Sequence, residues 1–334
     1  MDRLKEWLAA HICVGQGPIR LTPLSGGQSN PTFALDVSGK SLILRKKPSG
    51  PILKGAHAIE REAWVQTALE AAKFPVGHVH AVCEDEGVLG AAFYVMDRID
   101  GDVHRDSSFP EMTRADRVAA FDAMNEAIAR LHCLSPDALG LSDYGRPENY
   151  VGRQIARWSR QYREDIDAGR NADMDFLVDW LPARIPAAAD AALIHGDFRV
   201  DNLIFVRGQP TIAAVIDWEL STLGDPIADF AYHLMMYRLP RSFPGGIADV
   251  DLTALGLPSE ADYVARYCAR TGRTAIRDLE FYIIYNLFRF AAIMHGIKGR
   301  ALRGNAASAD AEQLVSQLPH IASLARRYAE QHAG

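Results

Sequence analysis

The stretch Ile194-His195-Gly196-Asp197-Phe198-Arg199-Val200-Asp201-Asn202-Leu203-Ile204-Phe205 constrains the fold more than any other part of the chain. Its polar groups lie between two short apolar runs, 193–194 and 203–206. Runs of that length, rich in β-branched and aromatic residues, read as strands, so the residues between them form a loop anchored in a sheet. A third apolar run, 213–216, continues the β pattern and ends at Asp217, ahead of Trp218-Glu219. The chain must therefore hold an acid and an amide five positions apart on one loop, with a second acid at the end of a following strand.

The same reading extends outward in both directions. Residues 19–24, 32–37 and 41–46 read as strands, the last two joined across Ser38-Gly39-Lys40 as a hairpin. Residues 58–72 carry Ile59, Ala63, Val65 and Leu69 at helical spacing, and 79–84 and 91–96 read as two more strands. After Gly101 the pattern turns helical at 114–134, 151–166 and 175–181, and helices resume from Ile227 after the β interruption. The expectation is an α+β chain of two lobes: residues 1–97 as a β-sheet with one helix, and 98–334 as a mainly helical lobe carrying the loop.

Composition removes several functions. With 334 residues, 48% of them hydrophobic, a sizeable core is available. A formal charge of −6 without long Lys/Arg runs argues against nucleic acid as a partner. No apolar run approaches the roughly 18 residues a spanning helix needs, since even 287–297 is interrupted by Arg289 and His295. The first seven residues contain Asp2 and Glu6 and lack the apolar core of a signal peptide, which leads to the expectation of a cytoplasmic protein. Cys13, Cys83, Cys133 and Cys268 are scattered and form no CxxC pair, against both a zinc site and a disulfide framework.

The loop chemistry suits phosphoryl transfer. Asp197 can accept or orient a hydroxyl proton, while the amide oxygen of Asn202, on the same loop, coordinates a magnesium ion that bridges nucleotide phosphates. Asp217 can hold the metal from the other side. The Asp197-to-Asn202 spacing equals that of the protein-kinase catalytic loop.

These residues, continued by Val215-Ile216-Asp217-Trp218-Glu219, resemble the catalytic loop and metal-binding strand of the aminoglycoside-phosphotransferase-like and choline-kinase-like family. The wording is most similar to the branch fused to, or encoded beside, acyl-CoA dehydrogenases, through Gly26-Gly27-Gln28-Ser29-Asn30-Pro31-Thr32-Phe33, Leu44-Arg45-Lys46-Lys47-Pro48 and Glu148-Asn149-Tyr150. The resemblance spans about 21–237. It implies a two-lobed protein kinase-like fold using ATP and Mg2+, with Gly26, Gly27, Ser29 and Asn30 in a phosphate-covering loop. It also implies Arg45, or Lys46 or Lys47 after a register slip, as the phosphate cation, paired with Glu62 or Glu60, and backbone near Met96 facing the adenine. Arg45 stands where many relatives carry lysine, and its planar fork is not equivalent to an ammonium.

The acceptor side is less marked. Family logic makes His195 a loop-ordering residue, and Asp225 ahead of Pro226 reads as a helix cap. Arg153, Arg157 and Arg160 share one face of the helix predicted at 151–166, either solvated or facing an anionic substrate. Between Arg241 and Gly334 there are eleven Lys and Arg against nine Asp and Glu, whereas a polycationic acceptor would favour an acidic lobe. The resemblance suggests a small-molecule alcohol as acceptor, such as a 4-hydroxyacyl-CoA, whose phosphates would suit the Arg153-Arg157-Arg160 face or the Lys298-Arg300-Arg303 cluster, with Tyr150 as a further substrate residue. An aminoglycoside, choline-type or homoserine-type acceptor, and a silent nucleotide-binding module, are the alternatives.

Overall fold

The computed structural model describes residues 1–15, 17–24, 30–48, 58–187, 190–304 and 309–332. It opens with a helix α1 (Asp2–His11), followed by strands β1 (Ile19–Pro23), β2 (Thr32–Val37) and β3 (Lys40–Lys46). Helix α2 (Ile59–Ala71), strand β4 (Val79–Cys83), a one-turn helix α3 (Glu86–Leu89) and strand β5 (Phe93–Asp97) complete the first lobe. The five strands form one antiparallel sheet in the order β1-β2-β3-β5-β4.

Strand periodicity decides what each face buries. Leu42, Leu44, Phe93 and Val95 point to one side, where Leu4, Leu8 and Ile12 close a small core. Tyr94 points to the other, where Ile59 and Ala63 of α2 cover it and Met96 packs against them. The sequence reading anticipated one helix here; α1 and α3 are additional. Only two residues of α1, Leu4 and Leu8, are buried, so its apolar stripe is too narrow to stand out by spacing.

The second lobe begins with the short strand β6 (Asp102–Val103) and continues through α4 (Arg114–Cys133), α5 (Tyr150–Glu164) and α6 (Ala172–Trp180). Strands β7 (Ala192–Ile194), β8 (Leu203–Phe205), β9 (Ile212–Val215) and β10 (Thr222–Gly224) follow, β7 pairing with β10 and β8 lying between β6 and β9. Helices α7 (Pro226–Leu234), α8 (Leu252–Leu255), α9 (Glu260–Arg270), α10 (Leu279–Leu302), α11 (Ala309–Ser316) and α12 (Leu318–His332) complete it. The main core lies here, with α10 packed against α5, α7 and α12. Asp225 caps α7 by accepting bonds from the N–H groups of Ile227 (2.8 Å) and Ala228 (3.3 Å). Among the described residues no helix is long and apolar enough to cross a membrane.

Candidate functional site

The loop between β7 and β8 is held from beneath by buried groups. Asp229, on the first turn of α7, accepts the backbone N–H of His195 (2.9 Å) and of Gly196 (2.8 Å), and the His132 ring lies 3.1 Å away. Burial alone would raise the Asp229 pKa, but these donors and the nearby imidazoles hold it below the usual carboxylate range. Gly196 has φ +82°, and a Cβ there would stand 2.6 Å from the Leu220 carbonyl oxygen, so only glycine fits.

His195 is fully buried. Its Nδ1 accepts the Asp197 N–H at 3.2 Å while Nε2 faces the Ile216 carbonyl at 2.9 Å, a pairing that needs a neutral ring protonated at Nε2. The ring thus ties the loop to the strand end just before Asp217, as a loop-ordering residue would.

Asp197 lies at the loop's turn with its carboxylate engaged on both oxygens. Asn202 Nδ2 donates to the Asp197 carbonyl (2.8 Å) and to Oδ2 (3.1 Å), while the Tyr232 hydroxyl donates to Oδ1 (2.5 Å). Arg199 Nε stands 3.5 Å from Oδ1. Because both Asn202 contacts are to acceptors, its amide nitrogen faces Asp197 and its Oδ1 is left as a hard oxygen ligand. Asp201 is ion-paired with Arg199 at 2.7 Å; burial raises its pKa against the pull of that arginine.

Asp217 follows β9 in the left-handed region (φ 67°), a conformation uncommon outside glycine, and its side chain is 35% exposed. Arg45 reaches it from the other lobe, Nη2 to Oδ1 at 2.8 Å, and also lies 2.8 Å from Glu62 and 3.4 Å from Glu219. Strand parity explains why Arg45 does this: Leu44 faces α1, so Arg45 faces α2. Lys46, on the opposite side, donates to the Leu89 carbonyl (3.1 Å), and Lys47 pairs with Glu60. Asn30 Nδ2 (2.6 Å) and the Tyr94 hydroxyl (3.2 Å) also donate to Glu62. Burial pushes the Glu62 carboxyl up to about 7 against the pull of Arg45, with Asp217 and Glu219 adding to the rise. Burial would lower Arg45, yet Glu62, Tyr94 and Asp217 outweigh it and hold the guanidinium above its ordinary value.

The donors present fit a magnesium ion. Asn202 Oδ1 and the Asp217 carboxylate are hard oxygen ligands, and three carboxylates share the Arg45 guanidinium, an excess of negative charge that a divalent cation would offset. Few protein oxygens together with phosphates and waters is the usual magnesium pattern.

Of the other residues read from sequence, Met96 sits in β5 between Ile43 and Val79. Gly26, Gly27 and Ser29 lie outside the described residues. Tyr150, the first residue of α5, is buried, whereas Arg153 bonds the Arg146 carbonyl and Arg157 lies over the Trp158 ring at 5.0 Å. Lys298 and Arg300 are near the end of α10, and Arg303 is spent on Asp165 (2.6 Å) and Asp167 (3.0 Å). The sequence reading missed the groups that brace Asp197, Asp229 among them. Arg289 of α10, which donates to the Gly196 carbonyl at 2.8 Å, and Tyr232 were not considered. Tyr232 lies one helical turn after Asp229, a spacing that could have linked the two.

Against Arg199 and Tyr232, the two side chains that touch Asp197 from this side, lies a cavity of about 40 Å³ whose walls also include Met235, Met236, Leu239 and Phe290. No carboxylate is among the groups lining it.

Residues 20–279 match the family described as "Phosphotransferase enzyme family". The chain is 41% identical to "Acyl-CoA dehydrogenase family member 10" of Mus musculus over 328 residues, covering 98% of this chain but 30% of the mouse protein. It thus spans under a third of the length of that relative. A crystal structure from Ralstonia eutropha, of a protein provisionally named an aminoglycoside phosphotransferase, superimposes with a TM-score of 0.90 at 42% identity, covering 99% of this chain and 98% of that one. Choline kinase from Cryptosporidium parvum superimposes with a TM-score of 0.68 at 12% identity, covering 99% and 97%, a likeness of fold alone. The two-lobed, protein kinase-like architecture and the match over most of the sequence agree, and the chain belongs to the phosphotransferase enzyme family.

Proposed function

We propose that the chain is a Mg-ATP-dependent kinase that phosphorylates the hydroxyl of a small acyl-CoA-type alcohol, such as a 4-hydroxyacyl-CoA. One observation carries the transfer chemistry: Asp197, braced by Asn202 and Tyr232, belongs to the same tied unit as the strand end bearing Asp217, which Arg45 reaches from the opposite lobe. In this reading the lobes are residues 1–97 and 98–334, and the nucleotide binds between them.

Asp197 aligns the acceptor hydroxyl and takes its proton as the oxygen attacks. Asn202 keeps the carboxylate in one orientation, so little reorganisation accompanies the step. Asn202 and Asp217 would hold magnesium, which neutralises charge on the transferred phosphoryl group. Arg45, aimed by Glu62, receives phosphate oxygens with Asn30 nearby, and Gly26, Gly27 and Ser29 would close over them, with the adenine near Met96. Tyr150, Arg153, Arg157, Lys298 and Arg300 are the cationic or polar groups available to an anionic acceptor.

The cavity against Arg199 and Tyr232 speaks against an aminoglycoside, because no carboxylate lines it and a polycation needs them. The name of the mouse relative favours an acyl-CoA context in the same direction. A coupled ADP-release assay tests the reading: turnover with a 4-hydroxyacyl-CoA and none with kanamycin is expected, and the reverse result overturns it.

A further inference from the structure

Glu62 and Asp217 each stand 2.8 Å from Arg45, so this pairing requires helix α2 and the turn after β9 to be held at a fixed separation. One buried side chain touches both. Tyr144, 1% exposed, lies in the loop between α4 and α5, and its hydroxyl stands 2.7 Å from Ser221 Oγ. The Ser221 hydroxyl in turn donates to the Trp218 carbonyl at 2.5 Å. A hydroxyl has a single proton, and with that of Ser221 spent on Trp218 it is Tyr144 that donates to Ser221. The two bonds end on the residue that follows Asp217.

The other side of Tyr144 meets α2. Arg61, the neighbour of Glu62, donates from Nη2 to the Tyr144 carbonyl at 2.5 Å, and its Cζ lies 4.2 Å from the centre of the Tyr144 ring. The Trp64 ring meets the same ring edge-on, with centroids 5.3 Å apart. No side chain caps the N-terminus of α2, so the first turn, which carries Glu62, depends on contacts of this kind for its orientation. The loop on which they converge is fixed in turn by β10: a Cβ at Gly145 would stand 2.7 Å from the Leu223 backbone nitrogen. A hydroxyl donor, a charge-assisted bond and a guanidinium over a ring thus join α2 to the turn bearing Asp217 through one residue.

We infer that Tyr144 is a positioning residue for nucleotide binding: it braces the first turn of α2 against the turn after Asp217 and so keeps Glu62, Arg45 and Asp217 in line between the lobes. This rests on the kinase reading above and adds to it a residue that acts through others. Its hydroxyl aligns the phosphate side of the site without itself reaching a phosphate.

The test is direct binding, independent of transfer: calorimetric titration with magnesium and a non-hydrolysable ATP analogue, at a temperature where circular dichroism shows every variant folded. Tyr144→Phe is expected to weaken binding about fivefold, the worth of one hydrogen bond, and Arg61→Met at least about tenfold. Tyr144→Phe is the decisive variant, because it changes no charge. Ser221→Ala deletes the same bond from its other end, so it should match Tyr144→Phe, and the double variant should bind no more weakly than either alone. Tyr162→Phe serves as the control. That buried hydroxyl donates to Asp175 at 2.7 Å and to the Asn171 carbonyl at 3.0 Å, within the second lobe, so its loss should lower the denaturation midpoint and leave nucleotide affinity unchanged. Wild-type affinity in a folded Tyr144→Phe, or an equal loss in Tyr162→Phe, overturns the positioning role. If wild type itself fails to bind the magnesium nucleotide, the kinase reading falls and this inference with it; binding and transfer by wild type with Tyr144→Phe unaffected sinks the inference alone.

Discussion

Asp229 and Glu62 are both buried carboxylates, 3% and 2% exposed, yet the protein treats them in opposite ways. Asp229 is surrounded by fixed donors, two of them backbone N–H groups of the loop between β7 and β8, and is held below the usual carboxylate range. Glu62 is bound by side chains and shares Arg45 with Asp217 and Glu219, so that its carboxyl rises to about 7. The first arrangement is complete within the protein and preorganises Asp197. The second is short of positive charge, and its side-chain ion pairs can be exchanged for phosphates and a cation. On the proposed kinase reading, one half of the site would be finished before ligands arrive and the other by them.

Removing Asp229 would break this contrast most severely. Asp229→Ala leaves the His195 and Gly196 N–H groups and the Nε2 of His132 without their partner in the core, and a loss of about 3–5 kcal/mol in unfolding free energy is expected from chemical denaturation. A loss below about 1 kcal/mol would mean the loop is held by something else.

The finished half also carries a pH signature. Burial keeps the His233 ring neutral, lowering its pKa to about 4 from 6.5 against the bond to the Phe198 backbone and the charge of Asp229. Between those values the unfolded chain binds a proton that the folded chain refuses. Stability is therefore full above about pH 6.5 and falls as pH drops toward 4, by up to about 3 kcal/mol. Denaturation midpoints of His233→Gln should show a shallower slope across that window.

On the exchangeable half, Arg45→Lys keeps the charge but loses the fork that spans Glu62 and Asp217. Nucleotide affinity is expected to fall about tenfold, with unfolding free energy changed by only about 1 kcal/mol, as measured by calorimetry and denaturation. The smallest effect is expected from Tyr232→Phe, which deletes one of the donors to Asp197. Turnover should drop about three- to tenfold with acceptor at saturation, and thermal stability should barely move.

How much of this was legible in the sequence follows the same divide. Local patterns placed β2 at 32–37 and located α2 and the catalytic loop, because alternation and helical spacing report neighbours along the chain. Which of Arg45, Lys46 and Lys47 reaches Asp217 turns on strand parity, and the buried pair Leu42 and Leu44 carries that information. Helix α1 buries only two side chains and passed unnoticed. Arg289 could be read only as a break in an apolar run, since its bond to Gly196 depends on α10 meeting a loop about ninety residues earlier. A long apolar helix looks the same whether its arginine faces water or a carbonyl.

The central claim is that Asp197 handles the acceptor proton while the rest of the site holds the nucleotide. Single-turnover phosphate transfer by Asp197→Asn, measured beside Mg-ATP affinity, tests it most directly. The isosteric amide should lower transfer by about a thousandfold and leave Mg-ATP binding within about twofold of wild type. Transfer within tenfold of wild type would contradict the assignment.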